Sequence, residues 1–209
     1  MEKTKCELTT AFERALQYAQ IAHGGQKRKG TDIPYFAHLL SCAAIVLENG
    51  GNENEAIGAL LHDAVEDAGG KGRSQDIRAK FGNDVADIVD GCSDAFVTPK
   101  PPWKERKEAY IAHLPKASKS VRLVSAVDKL HNARAILSDY RKIGEDLWPR
   151  FNGGKEGTLW YYRALVDAFT AACKNDLEAK DSKAADMKAL VNELDRVVSE
   201  IEKLAKFIN

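Results

Sequence analysis

Apolar positions recur along this chain at spacings of three and four rather than in alternation, and glycines and prolines cut the pattern into segments. Phe12, Ala15, Leu16, Ala19 and Ala22 mark one side of a helix over Thr10–His23, with Thr10 and Glu13 as a capping box and Gly24-Gly25 as its end. Gln26 to Pro34 reads as a short loop carrying Lys27, Arg28 and Lys29, and a second helix over about Tyr35–Asn49 stops at Gly50-Gly51. Asn52 with Glu55 opens a third, expected to run unbroken through His62 and to close at Gly69-Gly70. Ser74 caps a short helix to Phe81, and Asn83 caps another with Val85, Ile88 and Val89 on one side. Pro99, Pro101 and Pro102 exclude a helix interior, so 93–103 reads as a loop with room for a lid, ahead of a charged helix from Trp103 to Leu114. Val121, Leu123, Val124, Val127 and Leu130 carry a long helix from Ser118 to about Leu137; Gly144–Gly157 reads as irregular, and helices follow at about Thr158–Lys174 and Ala184–Phe207. No sustained period-2 run of β-branched residues, and no hairpin turn between such runs, interrupts this pattern. The expected fold class is all-α.

A length of 209 residues suits one domain over 1–209, with a core at about 10–140 and additional helices over 141–209. Lysine plus arginine equals aspartate plus glutamate at 31 each, which argues against a protein that coats a nucleic-acid polymer or lies on an anionic membrane. Attraction for a phosphate-bearing ligand must then be local. Cys6, Cys42, Cys92 and Cys173 form no C-x-x-C pair, which excludes a zinc knuckle, a redox motif and a disulfide framework and fits a reducing, cytoplasmic setting. The sequence contains neither a signal-peptide-like run nor an apolar stretch of membrane-spanning length.

The stretch Leu60 to Asp67 changes the picture. His62, Asp63, Glu66 and Asp67 are groups able to hold a metal or a proton, and on a continuous helix His62 stacks over Glu66 and Asp63 over Asp67. Leu60, Leu61, Ala64 and Val65 would bury that helix, where charge is costly unless paired or metal-bound. Glu66 and Asp67 near a helix C-terminus also work against the macrodipole, a misfit that favours a chemical role. His38 lies in the first turn of the second helix, and Asp128 and Asn132 share a face of the long helix at i, i+4. Two imidazoles and two carboxylates, His38, His62, Asp63 and Asp128, make a mixed nitrogen and oxygen set suited to manganese, iron or zinc. His23 and His113 read as ordinary histidines.

The order His38, then His62-Asp63, then Asp128 resembles the signature of the HD superfamily of metal-dependent phosphohydrolases. Gln26-Lys27-Arg28-Lys29-Gly30, Pro34-Tyr35-Phe36-Ala37-His38, Leu60 to Asp67 and Asp128-Lys129-Leu130-His131-Asn132 are similar to the hydrolase domain of RelA/SpoT proteins, over about residues 10–140. No further stretch reads as an alarmone synthetase, so the resemblance is to the stand-alone small alarmone hydrolases, the group of the metazoan SpoT homologues. It implies a compact HD-domain bundle of roughly eight to ten helices. It also implies His38, His62, Asp63 and Asp128 as ligands to a metal, usually manganese, with Glu66 and Asp67 managing the proton of a water made nucleophilic near neutral pH. Asn132 would serve the chemistry near the sugar and phosphate, and Arg28, Lys29 and Tyr35 would line the nucleotide pocket, where arginine stacks on a base. Arg134 would contact phosphate and Tyr161 would approach the substrate. Where the small hydrolases commonly carry Pro-Lys before Glu-Arg-Lys, this chain has Pro102-Trp103-Lys104-Glu105-Arg106-Lys107, so the family's phosphate-binding lysine is displaced or absent. The implied reaction removes the 3′-pyrophosphate of an alarmone such as (p)ppGpp, giving GDP or GTP and pyrophosphate. An adenosine-type alarmone or the 2′-phosphate of NADPH is the alternative substrate, and a non-catalytic nucleotide-binding module is the alternative from another class.

Overall fold

Among the residues that the computed structural model describes, 6–68, 70–94, 101–178 and 184–207, regular structure is helical, and the β feature is an isolated antiparallel bridge between Lys27 and Pro34. The side chains of residues 67, 68, 70, 177, 178 and 207 lie outside the described residues, as does 95–100, most of the stretch expected to be a lid. The chain divides into two compact units. The first takes the described residues of 1–100 with 118–125, and the second those of 101–117 and 126–209.

In the first unit, helix α1 covers Thr10–Ala22. Its cap is Thr9 rather than Thr10: the Thr9 side chain accepts the Ala11 N–H, while its own N–H donates to Glu53 Oε1 at 2.5 Å, a long-range bond that selects between two adjacent threonines. Helix α2 (Phe36–Glu48) buries Leu39, Cys42, Ala43 and Val46. Helix α3 (Glu53–Leu61) opens with the expected capping box, in which Asn52 Oδ1 accepts the Glu55 N–H and Glu55 Oε2 accepts the Asn52 N–H. Residues Glu55 to Leu61 are all buried, so α3 is the core element against which α1, α2 and α6 (Asn83–Cys92) pack.

The expected unbroken helix stops at Leu61, and α4 (Ala64–Ala68) starts after a His62-Asp63 turn. His62 keeps helical dihedrals, but its Nδ1–H donates to the Ala59 carbonyl at 2.8 Å and competes there with the amide of Asp63, the i+4 donor of a regular helix. Helix α5 (Gly70–Phe81) also begins earlier than expected, placing Ser74 in its interior. Gly82, at φ +89°, is the residue preceding α6, so Asn83 is the first helical residue rather than the cap.

Gly58 fits α3 to α6. A Cβ there would lie 2.6 Å from Ile88 Cγ2, so one methyl group has no space unless the helices shift. Gly58→Ala should destabilise the protein by about 1–3 kcal/mol, seen as a lower urea midpoint with an unchanged slope.

The second unit contains α7 (Trp103–His113), a 3-10 turn at Leu114–Lys116, and all but the first turns of α8 (Lys119–Ile143). It continues through a 3-10 segment over Gly144–Arg150 into α9 (Gly154–Glu178) and α10 (Ala184–Phe207). α8 outruns the expected end near Leu137 because Tyr140 continues the buried side, and it stops at Gly144, φ +55°. α9 starts at Gly154, not Thr158. The glycines that read as breakers are where Trp103 packs: a Cβ at Gly153 would lie 2.7 Å from the Trp103 ring and one at Gly157 3.3 Å. Phe169, Leu165 and Leu194, all fully buried, form the α9–α10 core, and Arg163 bonds Asp195 and Glu202 across it.

Candidate active site

Three of the expected metal ligands converge within the first unit. His38 sits in the first turn of α2 and His62 just past the end of α3; both are buried, while the Asp63 side chain is 22% exposed. His62 Nε2 is 3.0 Å and His38 Nε2 4.0 Å from Asp63 Oδ2, and the ligand atoms of the three residues all lie within 4.8 Å of one another. The two imidazoles meet edge to face with centroids 5.3 Å apart.

The arrangement could hold a cation. A backbone carbonyl only accepts, so the bond to Ala59 places a proton on His62 Nδ1, while Nε2 faces the Asp63 carboxylate at 3.0 Å. A neutral imidazole nitrogen and a carboxylate oxygen at this distance repel each other unless a metal ion, or a proton on Nε2, lies between them. One anionic oxygen and two imidazole nitrogens form a donor set that fits a divalent transition metal. Orientation of a ligating imidazole through its other nitrogen is the usual support for such a site. Cys42 Sγ, one turn along α2, lies 3.6 Å from His38 Nδ1.

The surrounding residues come largely from the loop before α2. The Lys27–Pro34 bridge, together with the Arg28 N–H donating to Ile33 O and the Tyr35 N–H donating to Gln26 O, folds 26–35 into a tight hairpin-like turn with Gly30 at φ +69°. Arg28 lies over the Tyr35 ring, 5.6 Å from its centroid, and Lys27 donates to Asp32 at 2.6 Å. Lys29 is exposed. Tyr35, expected to line the nucleotide pocket, donates its hydroxyl hydrogen to Asp63 Oδ2. His23, which reads as an ordinary histidine, is 3% exposed and stacks on Tyr35 with centroids 5.2 Å apart. Its Nδ1–H donates to Gln26 Oε1 at 2.7 Å. The signal for His23 in the sequence was its place directly before the Gly24-Gly25-Gln26 turn that leads into the basic loop. Glu66 is half-buried on α4, and the side chain of Asp67 lies outside the described residues.

The second unit holds the remaining candidates on α8 and α9. Asp128 is buried; its Oδ1 accepts from Asn132 Nδ2 at 2.6 Å, as the i, i+4 spacing requires, and its Oδ2 accepts from Lys129 Nζ. The sequence points to Lys129 only as part of the motif around Asp128, with no role of its own. Burial disfavours its charge, but Asp128, Tyr161 and Tyr110 outweigh that and hold its pKa well above the ordinary lysine value. Its ammonium also lies 5.2 Å from the Tyr110 ring centroid. Arg134 is exposed and bonds Glu193 on α10 at 3.4 Å. Tyr161 is buried, with Lys107 Nζ 5.0 Å from its ring centroid and Trp103 packed at 6.1 Å. Lys104 stacks over Trp160.

The family model for the HD domain matches residues 15–158. Guanosine-3′,5′-bis(diphosphate) 3′-pyrophosphohydrolase MESH1 of Xenopus tropicalis is 37% identical over 125 residues, 58% of this chain and 67% of that protein. Its Drosophila melanogaster counterpart is 33% identical over 128 residues, 60% and 69% of the two chains. The GTP pyrophosphokinase of Streptomyces coelicolor is 34% identical over 127 residues, which is 60% of this chain and only 14% of that protein. Among solved structures, a metazoan orthologue of SpoT, described as hydrolysing ppGpp, shares the fold with a TM-score of 0.68, at 24% identity over 92% of this chain and 97% of that one. A Listeria monocytogenes EGD-e protein superimposes with a TM-score of 0.65, at 26% identity over 79% of this chain and 99% of its own.

Proposed function

The chain belongs to the HD-domain family, and from that premise we propose that it is a metal-dependent hydrolase that removes the 3′-pyrophosphate of guanosine 3′,5′-bis(diphosphate), releasing GDP and pyrophosphate. The observation that carries this reading is the approach of His38 Nε2 and His62 Nε2 to one oxygen of Asp63. The substrate follows from similarity to relatives that carry this activity in their names. Asp128 is proposed as the fourth ligand on the order of the family's motifs, and manganese as the ion that the resemblance to the family implies, from among the divalent transition metals these donors fit.

A divalent ion at these residues supplies Lewis acidity and a more acidic water. The chain's own groups do the rest. Water attacks the 3′ phosphorus, the bond from that phosphorus to O3′ breaks, and Glu66 with Asp67 takes the proton that the water gives up and returns one to O3′ as it leaves. His62 is held by Ala59 in the tautomer that offers Nε2. Asn132, fixed to Asp128 at 2.6 Å, serves the sugar and its phosphate. Arg28 and Lys29 supply local positive charge on a chain whose net charge is zero, and Arg28 supplies a planar face for the base. Arg134 would exchange Glu193 for phosphate, and Tyr161 would contact the substrate from α9.

Turnover of a nucleotide panel, with products identified, tests the reading: guanosine 3′,5′-bis(diphosphate), an adenosine counterpart and NADPH, each with manganese and with chelator. Metal-dependent release of pyrophosphate from the guanosine compound supports it. Preferred dephosphorylation of NADPH would reassign the substrate, and no turnover of any compound would favour a binding module. Arg28 separates charge from stacking. If base stacking dominates, Arg28→Ala and Arg28→Lys should each raise KM by on the order of tenfold, the scale of one desolvated cation–π contact. If charge dominates, Arg28→Lys should restore most of KM. Wild-type KM in both variants would remove the loop from the nucleotide site.

A further inference from the structure

We propose that Tyr35 is a positioning residue for the metal centre, acting through Asp63, rather than a wall of the nucleotide pocket. The inference rests on the metal-hydrolase reading above and assigns Tyr35 a different part in it. Asp63 Oδ2 is the oxygen that His38 Nε2 and His62 Nε2 both face, and it is this oxygen that accepts the Tyr35 hydroxyl hydrogen. The bond spans 28 positions in sequence, so it ties the orientation of Asp63 to the loop before α2. His62 has its Nδ1–H on Ala59 and His38 is buried within α2, whereas Asp63 lies in the turn between α3 and α4 with a side chain 22% exposed. A carboxylate in such a turn has several rotamers open to it, and a donor on one oxygen selects among them.

Tyr35 is itself tightly placed. Its N–H donates to Gln26 O at 2.8 Å; the same Gln26 accepts from His23 through its side chain, and the His23 ring stacks on the Tyr35 ring. On its other side the ring meets His38 edge-on at 5.4 Å. The four residues Tyr35 to His38 thus deliver one metal ligand and the bond that orients a second, while the turn bearing Arg28 is built on the same tyrosine.

The test is Tyr35→Phe, which keeps the ring and its stacking and removes only the hydroxyl. Manganese affinity is measured by titration of the chelator-stripped protein, following free Mn2+ by its electron paramagnetic resonance signal. The expected result is affinity weaker by on the order of tenfold or more, an unchanged thermal midpoint of the stripped protein, and kcat recovered at high manganese with KM for the nucleotide unaltered. Arg28→Ala, which leaves the hydroxyl bond in place, should keep wild-type manganese affinity. Tyr35→Phe protein with wild-type manganese affinity, or with raised KM as its only defect, would overturn the inference while the metal-hydrolase reading stands. Wild-type protein that binds no manganese would overturn both.

Discussion

Asp63→Ala and His62→Ala proteins should lose bound metal and turnover together. Each removes one of three donors held within 4.8 Å of one another, and an ion left with fewer donors exchanges with water. The Lewis-acid contribution is worth several kcal/mol of the barrier, so activity should fall on the order of a thousandfold or more. Stability provides a second readout. Metal that binds only the folded chain stabilises it by about 2.7 kcal/mol at a hundredfold excess over Kd, so manganese should raise the thermal midpoint of the wild type and leave these variants unmoved. Asp63→Ala is the cleaner of the two, since its side chain is partly exposed and leaves no sealed cavity. A variant with full turnover and no bound metal would remove these residues from the site.

Glu66→Gln should do the opposite for metal and the same for rate. The amide keeps the shape of the side chain and loses the proton acceptor, so manganese affinity and thermal midpoint should hold while kcat falls by on the order of a hundredfold, the usual scale for a positioned acid or base. Glu66 is half-buried on α4, beyond the His62-Asp63 turn, and belongs to none of the groups of three or more ligand atoms found among the described residues. Unchanged kcat with metal retained would take Glu66 out of the chemistry.

The helices and the neighbouring positions of His62 and Asp63 were legible because both depend on short-range spacing. Glycine and proline punctuation placed α2 and α7 to within a residue or so, apolar periodicity placed α10, and Asn52 with Glu55 formed the expected capping box. The adjacency of His62 and Asp63, preceded by His38 on another helix, pointed to a group of donors that the structure brings within 4.8 Å of one another. What was missed depends on partners distant in sequence or on side chains competing for backbone groups. Thr9 displaced Thr10 as the cap through Glu53; Trp103 turned helix-breaking glycines at 153 and 157 into a packing surface; and the imidazole of His62 took the Ala59 carbonyl at the point where the helix ends. Tyr35 stood out in the sequence as a candidate pocket residue, but its hydroxyl bond to Asp63 is a tertiary contact that no periodicity encodes. The burial of His23 against Tyr35 depends on the same loop closure.

Hydrolysis of guanosine 3′,5′-bis(diphosphate) by the purified protein in 18O-labelled water tests the central claim most directly. With manganese present, the account predicts GDP without label and pyrophosphate carrying one labelled oxygen, since water adds to the 3′ phosphorus and O3′ leaves with the nucleoside. Chelator should abolish both products, and manganese should restore them. Label in the nucleotide, loss of phosphate from the 5′ side, or equal turnover with and without metal would contradict it.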